Sequence, residues 1–325
     1  MRHVRIIGTG SYAPDNIMSN DDIAKLVETN DEWIKSRTGI KERRISTKET
    51  SSDMAYEAAL RAVQAAETDP NEIDLIICAT ITPDYCMPSV ACQVQGRLKA
   101  ENAAAFDLNA ACTGFVYALT TASQFLQTGM YQKALVIGVD TISKIIDWQD
   151  RSTCVLFGDG AGAAVLSATS DRRGIIASTL NSDGSKHAFL YCEAVPLSNP
   201  YVESLEERTA PSIRMLGQEV FKFAVRNVTD TIQTVLEKAN REGKDIKYII
   251  PHQANYRIIE AVAKNCKLPI EKFFMNLERY GNTSSASIGI ALDELVQTGE
   301  LHRGDTIILV GFGGGMTGGA ILIDW

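Results

Sequence analysis

The sequence predicts an α/β fold built from two copies of one unit. Two observations lead there. Strand-like segments alternate with helix-like ones along the chain, the pattern of layered α/β architecture. Much of the chain is also written twice. Ala105-Phe106-Asp107-Leu108-Asn109-Ala110-Ala111-Cys112 runs into an apolar helical pattern and then Gln127-Thr128-Gly129. Phe273-Phe274-Met275-Asn276-Leu277 runs through Gly281-Asn282 into a second helical pattern and Gln297-Thr298-Gly299. Cys112 and Asn282 each stand 15 residues ahead of their Gln-Thr-Gly. A repeat this long marks a duplicated domain, not a short-period solenoid, and 325 residues suit about two domains.

The elements follow in order. Asn20–Glu28 opens on cap-type residues and carries Ile23, Leu26 and Val27 on one face, which predicts a helix. Ser51–Ala66 is Ala-rich with helical spacing. Ile73–Ile77 reads as a strand and matches Ile246–Ile250 of the second copy. Thr113–Gln127 places Val116, Leu119, Ala122, Ser123 and Leu126 at steps of three and four, a buried helix. The strand-like Ala134–Gly138 pairs with Thr306–Val310, and Phe157-Gly158-Asp159-Gly160 with Phe312-Gly313-Gly314-Gly315. The polar stretch Thr169–Gly174 is the expected boundary, giving halves 1–173 and 174–325. Between Asp183 and Pro211 periodicity fades around Pro196 and Pro200, and a long flap or loop is expected. Val220–Ala239 returns to an apolar stripe through Val220, Phe223, Ala224, Val228, Ile232, Val235 and Leu236.

Composition narrows the function. A net charge of −8 argues against a general nucleic-acid binder, which needs a basic surface. No apolar run approaches the roughly 18 residues of a membrane span, and the N-terminus lacks the apolar core of a signal peptide. Seven cysteines without framework spacing suggest reduced thiols in a cytoplasm. With no Cys-x-x-Cys or His-Glu-x-x-His, no metal site is expected.

Three residues have the chemistry and the positions for a site. Cys112 ends a predicted strand and opens a predicted helix, whose positive end stabilises a thiolate by roughly 0.3–1 kcal/mol, up to about 2. At about 1.4 kcal/mol per pKa unit, that moves a thiol from about 8.5 toward 7–8. Cys78, inside an apolar strand, reads as core instead. His252 stands in Pro251-His252-Gln253-Ala254-Asn255 at a strand exit, where open α/β sheets contact ligands; His3 and His302 have no such setting. Asn282 suits a turn or N-cap on its own, and its register with Cys112 sets a site role beside that reading as an equal alternative. The glycine-rich Gly311–Gly319 is not a phosphate loop, because no helix follows it. Its glycines fit close backbone approach, or an amide offered to a ligand oxygen.

Taken together, Cys112, His252 and Asn282 on a duplicated chain of this length resemble the β-ketoacyl-acyl-carrier-protein synthase III family, the initiating condensing enzymes of type II fatty-acid synthesis. The resemblance runs from Ile7-Gly8-Thr9-Gly10-Ser11-Tyr12 through Asp31-Glu32-Trp33-Ile34 and Arg37-Thr38-Gly39-Ile40 to Phe312-Gly313-Gly314-Gly315. Pro251–Asn255 and Gly281-Asn282-Thr283-Ser284 are its most specific motifs. It implies the thiolase fold: pseudo-symmetric halves in five α-β-α-β-α layers with mixed central sheets, assembled as a homodimer. It implies that Cys112 takes an acyl group, most simply acetyl, from acyl-CoA. Malonyl-acyl-carrier protein then loses carbon dioxide, and its carbanion attacks the acyl-cysteine. No cofactor is expected: acyl-CoA is a substrate, and phosphopantetheine arrives on the carrier protein.

The residue types suit that chemistry. Decarboxylation removes no proton but needs the charge on the thioester oxygen held, which N–H donors from His252 and Asn282 supply. A non-decarboxylating Claisen enzyme needs a base, and Asn282 cannot be one. By resemblance, the Cys112 and Gly314 amides meet the tetrahedral oxyanion, and Trp33 and Arg151 sandwich the CoA adenine. Arg37, Gly217, Phe221 and Asn255 lie near the pantetheine arm. The carrier protein is expected to meet Gln253, Ala254, Asn255, Tyr256, Arg257, Lys222 and Lys264. Arg257 and Lys264, seven apart on a helical pattern, share a face and form a basic spot on an acidic protein. Met87 matches the place from which the partner subunit closes the acyl pocket, and its flexibility leaves longer or branched primers open. The competing readings are a Cys-His-Asn condensing or acyl-transfer enzyme of secondary metabolism and an inert binding protein of the same fold.

Overall fold

The computed structural model describes residues 2–197, 199–201 and 211–325. Its front sheet joins β1 (His3–Tyr12), β2 (Leu75–Ala79), β3 (Ala104–Leu108), β4 (Lys133–Thr141) and β5 (Asp159–Thr169) in the order β1-β5-β4-β2-β3. The rear sheet joins β6 (Gly174–Ser182), β7 (Tyr248–Pro251), β8 (Thr306–Gly313) and β9 (Thr317–Asp324) in the order β7-β8-β9-β6. Each sheet is mixed. β2 pairs in parallel with β3 and β4, while β5 is antiparallel to both β4 and β1. β7 is parallel to β8, and β9 is antiparallel to β8 and β6.

Laid on one another, the sheets match strand for strand: β1 with β6, β5 with β9, β4 with β8 and β2 with β7. Ile73–Ile77 and Ile246–Ile250 fall at β2 and β7, Ala134–Gly138 and Thr306–Val310 on β4 and β8, and Phe157–Gly160 and Phe312–Gly315 on the approaches to β5 and β9. The exception is Phe273, which makes one parallel bridge to Ile249 where the front sheet has a full strand, β3. The chain leaves the front sheet at Thr169 and enters the rear one at Gly174.

Helices form three layers around the sheets. α1 (Ser51–Ala65) and α2 (Val90–Leu98) cover the outer face of the front sheet. α3 (Gly114–Gln127) lies between the sheets. α4 (Gly217–Ala239) and α5 (Tyr256–Cys266) cover the outer face of the rear sheet, and α6 (Ala286–Gln297) lies beside α3 in the middle. The thiolase fold expected from the sequence is the observed one. Burial explains the composition of each layer. β2, covered on both faces, is buried at every position and reads as a continuous apolar run. Helix α6 is buried from Ala286 through Asp293, as a middle-layer helix must be. Helix α1 starts where Thr50 and Asp53 cap each other's backbone N–H groups.

Two local expectations change. The helix expected over 20–28 stops at Ala24; Ile23 is buried and Val27 packs on the core, but Leu26 is exposed, so the expected stripe is only partly used. The flap region begins with a 3₁₀ turn, Gly184–Phe189, and a short strand, Leu190–Cys192, that pairs with Ile213–Met215. Positions 198 and 202–210 of that flap lie outside the described residues. Among the described residues no helix is long and apolar enough to cross a membrane.

The middle layer has no slack. A Cβ on Gly162 of β5 would sit 2.5 Å from backbone atoms of Gly289 and Ile290 in α6. Strand and helix therefore touch backbone to backbone, and this contact fixes the height of the segment preceding α6. Gly162→Ala is expected to lower stability by about 1–3 kcal/mol or more through overpacking. Exposed Gly96 of α2 meets no atom within 4 Å, so Gly96→Ala should stabilise by about 0.5–1 kcal/mol. Denaturant melts of the two variants check the contrast.

Candidate active site

Cys112 lies in a 3₁₀ turn, Ala111–Thr113, between β3 and α3. Ala111 holds φ at +48°, a strained left-handed conformation immediately before the cysteine. The thiol is only 8% exposed, and burial pushes its pKa up to about 12. The Ser284 hydroxyl against it pulls the other way, and the Asp140 carboxylate pushes it further up. This corrects the expectation of a thiol near 7–8. The regular helix begins only at Gly114, and the desolvation of a fully enclosed sulfur outweighs the helix terminus. At neutral pH Cys112 is therefore a thiol.

His252 follows the last residue of β7, and its N–H donates to the Val310 carbonyl at 2.8 Å. Pro251 is the last rung of the β7–β8 pairing, opposite Val310. The imidazole is 2% exposed. Its ring stands edge-on to Phe312 at 5.2 Å, and Val228, Ile258, Val262 and Phe273 line the apolar space beside it. Nδ1 lies 2.6 Å from the Ser287 hydroxyl. Burial pushes the imidazole pKa down to about 3, so the ring is neutral at any physiological pH.

Asn282 is held by its backbone and oriented by its side chain. Its N–H donates to Leu156 O at 2.8 Å, and its carbonyl accepts from Gly158 N at 3.0 Å. Gly281 makes the preceding turn with φ at +63°. The Asn282 Oδ1 accepts the Ser284 N–H at 2.9 Å. With the carbonyl end so used, the amide –NH₂ is the end left for a ligand.

Behind these groups the two halves are tied by buried carboxylates. Asp140, at the end of β4, accepts through Oδ1 from the Thr80 and Thr82 hydroxyls and Ile81 N. Its Oδ2 accepts from Ser285 N at 3.1 Å, three residues after Asn282. Asp293 of α6 accepts from the Thr9 hydroxyl at 2.8 Å and the Ser11 hydroxyl at 2.6 Å. Sequence reading missed Asp140, Ser284 and Ser287. The Ser-rich start of α6 was its only local sign.

Cys112, His252, Asn282 and Gly314 line one cavity of about 920 Å³. Gly314 opens a 3₁₀ turn, and Cys112 stands in the first turn of another, positions where an N–H has no intrahelical acceptor. A side chain on neighbouring Gly313 would come within 2.7 Å of Cys112 N, so glycine lets the two turns meet. The same cavity is lined by Trp33, Arg37 and Arg151, and by Gly217, Phe221, Ala254 and Asn255. Arg151 lies 4.8 Å over the Trp33 ring and donates to Glu28 O. In this arrangement the two touch each other, so a base enters between them only if they part. Asn255 caps α5 through Arg257 N and donates to Arg37 O.

Other expected contacts lie elsewhere. Tyr256, Arg257 and Lys264 are on exposed positions of α5, and Lys222 is exposed on α4, ion-paired with Glu219. Met87 is 85% exposed and does not line the cavity of its own protomer. Gln253 is a correction. It is 1% exposed, its amide donates to the Pro251 and Phe274 carbonyls, and its oxygen accepts Asn276 N. It braces the loop after β7 and presents nothing to a carrier protein.

The protonated resting thiol has a measurable signature. Alkylation of Cys112 by iodoacetamide, read on its peptide by mass spectrometry, is expected to rise about tenfold per pH unit from pH 7 to 9.5 without a plateau. A plateau below pH 8 would contradict a thiol raised by burial.

Comparison with known proteins agrees with this geometry. A family model described as 3-oxoacyl-[acyl-carrier-protein (ACP)] synthase III matches residues 106–184, and its C-terminal companion matches 236–325. The β-ketoacyl-[acyl-carrier-protein] synthase III of Clostridium acetobutylicum is 55% identical over 326 residues, covering 100% of this chain and 99% of that protein. Its namesake from Clostridium novyi is also 55% identical, with 100% of both chains covered. The crystal structure of the 3-oxoacyl-[acyl-carrier-protein] synthase III of Aquifex aeolicus superposes with a TM-score of 0.93 at 46% identity, covering 99% of this chain and 100% of that one. With the fold, the cavity and full-length relatives in agreement, the chain belongs to the β-ketoacyl-[acyl-carrier-protein] synthase III family.

Proposed function

We propose that Cys112, His252 and Asn282 divide between them the two half-reactions of the condensation that initiates fatty-acid synthesis. In the first, the Cys112 sulfur attacks the thioester of an acyl-CoA, acetyl-CoA in the simplest case. The S-acyl bond to cysteine forms, the bond to CoA breaks, and the proton lost by Cys112 is balanced by the one CoA takes up as its thiol. The amides of Cys112 and Gly314 receive the oxyanion between these steps. The raised thiol pKa favours proton loss in concert with attack rather than from a standing thiolate.

In the second half-reaction malonyl-carrier protein loses carbon dioxide, and the electron pair of the broken C–C bond becomes an enolate. His252 and the Asn282 amide hold the enolate oxygen. A neutral imidazole donates one hydrogen bond there without first taking a proton, and its low pKa keeps it in that state. The enolate carbon then attacks the acyl-cysteine; the new C–C bond forms as the C–S bond to Cys112 breaks, giving a 3-ketoacyl-carrier protein and a Cys112 thiolate that takes up one proton from solvent. The observation that carries this reading is the single cavity in which a front-half thiol meets a rear-half imidazole and carboxamide. Support for the CoA path is the lining by Trp33, Arg37 and Arg151, with Gly217, Phe221 and Asn255 beside it. Support for carrier-protein docking is the exposed basic face of Arg257 and Lys264 with Lys222 nearby, on a chain of net charge −8.

A homodimer completes the reading, the protein working in the cytoplasm with each copy's Met87 closing its partner's acyl pocket. β3 is an edge strand of the front sheet. Phe106 on it is 37% exposed and Met87 85% exposed. An apolar unpaired edge invites a second copy. The boundary between halves falls at 173/174.

Incubation with acetyl-CoA is expected to add one acetyl mass to the Cys112 peptide; label on any other residue overturns the assignment. Cys112→Ala should abolish condensation yet still release carbon dioxide from malonyl-carrier protein. Asn282→Ala should spare loading and lower carbon dioxide release about 10²–10³-fold. Malonyl-CoA as the alternative acceptor separates this reading from a secondary-metabolism relative. In sedimentation, the wild type is expected as a dimer and Phe106→Asp as a monomer.

A further inference from the structure

The role given to His252 requires a hydrogen on Nε2, the nitrogen not engaged by Ser287, and an imidazole chooses between two tautomers. The choice is made on the far side of the ring. Ser287, in the first turn of α6, is 2% exposed, and its hydroxyl oxygen lies 2.6 Å from Nδ1. The same oxygen accepts the Gln253 backbone N–H at 3.4 Å. A serine in a helix often turns its hydroxyl back to the carbonyl four residues earlier. Here that carbonyl, Thr283 O, accepts Ala286 N, and among the described residues Nδ1 is the only hydrogen-bond partner of the hydroxyl apart from the Gln253 N–H.

Only one arrangement satisfies every buried group. If Nδ1 carried the hydrogen, the Ser287 oxygen would face two donors, and its own hydrogen would have no acceptor in a dry setting. If Ser287 donates to Nδ1 and accepts from Gln253, all three are satisfied, and the imidazole hydrogen is placed on Nε2. We propose that Ser287 is the positioning residue that fixes His252 as the Nε2–H tautomer, and so makes it a donor to the enolate oxygen. Ser287 touches no reacting atom. It acts on decarboxylation through His252 and leaves acyl loading, which uses the Cys112 and Gly314 amides, unaffected. The proposal rests on the functional reading above only for its kinetic consequence.

Imidazole nitrogen shifts in ¹⁵N-histidine-labelled full-length protein test the tautomer directly, the chain having only four histidines. In the wild type, the His252 signals are expected to show hydrogen on Nε2 and a hydrogen-bonded, unprotonated Nδ1, unchanged from pH 5 to 8. Hydrogen on Nδ1 overturns the proposal. In Ser287→Ala the Nδ1–H form should become populated. Carbon dioxide release should fall at least tenfold, bounded by the 10²–10³ that loss of the donor itself costs. Acetyl transfer to Cys112 should stay within about twofold. Ser287→Thr, which keeps the hydroxyl, should restore both the shifts and the rate. Equal loss of the two half-reactions in Ser287→Ala, or unchanged carbon dioxide release, overturns the proposal. Should the wild type release no carbon dioxide at all, the functional reading falls by itself, and the nitrogen shifts still decide the tautomer.

Discussion

The site depends on the buried carboxylate of Asp140. The two sheets share a middle core through α3 and α6, but apolar packing there is non-directional and does not by itself set their register. Asp140 adds direction. One oxygen collects donors from the exit of β2, and the other collects the Ser285 N–H at the mouth of α6. Leaving any of these buried polar groups without a partner costs about 1–3 kcal/mol, so a shift of either half is opposed by several such losses at once. The Asp293 tie to Thr9 and Ser11 repeats the device at the other end of the interface. Between the two ties, the Gly162–Gly289 contact removes the remaining play.

With the halves fixed, each polar residue of the cavity inherits a position and a charge state. Cys112 and His252 are both enclosed, and enclosure acts on them in opposite directions: the thiol keeps its proton and the imidazole refuses one. Both are therefore neutral at rest. On the mechanism proposed above, neutrality lets a thioester approach without meeting a fixed ion pair, and charge develops where the amide and imidazole donors receive it. This is electrostatic preorganisation obtained from uncharged groups.

Much of this was legible in the chain. The repeat is a local property of the sequence, and its matched segments lie on equivalent strands because each copy folds by the same apolar pattern. Cys112, His252 and Asn282 announced themselves at element boundaries, and the shared 15-residue offset placed Cys112 and Asn282 at equivalent sites. What escaped reading was tertiary. Asp140, Asp293 and Ser287 look like ordinary polar residues, because nothing local shows which donors fold against them. Gln253 shared a motif with His252 and was read as a surface contact, yet its side chain turns inward. The pKa of Cys112 was misjudged for the same reason: a helix terminus is visible in sequence, and the depth of a sulfur is not.

The enclosure of that sulfur bears on survival as well as on rate. Peroxide attacks thiolates, and susceptibility follows thiolate character and access. Cys86 and Cys92 are exposed at the surface, whereas Cys112 is buried and protonated. An enclosed, protonated Cys112 offers peroxide little thiolate at rest.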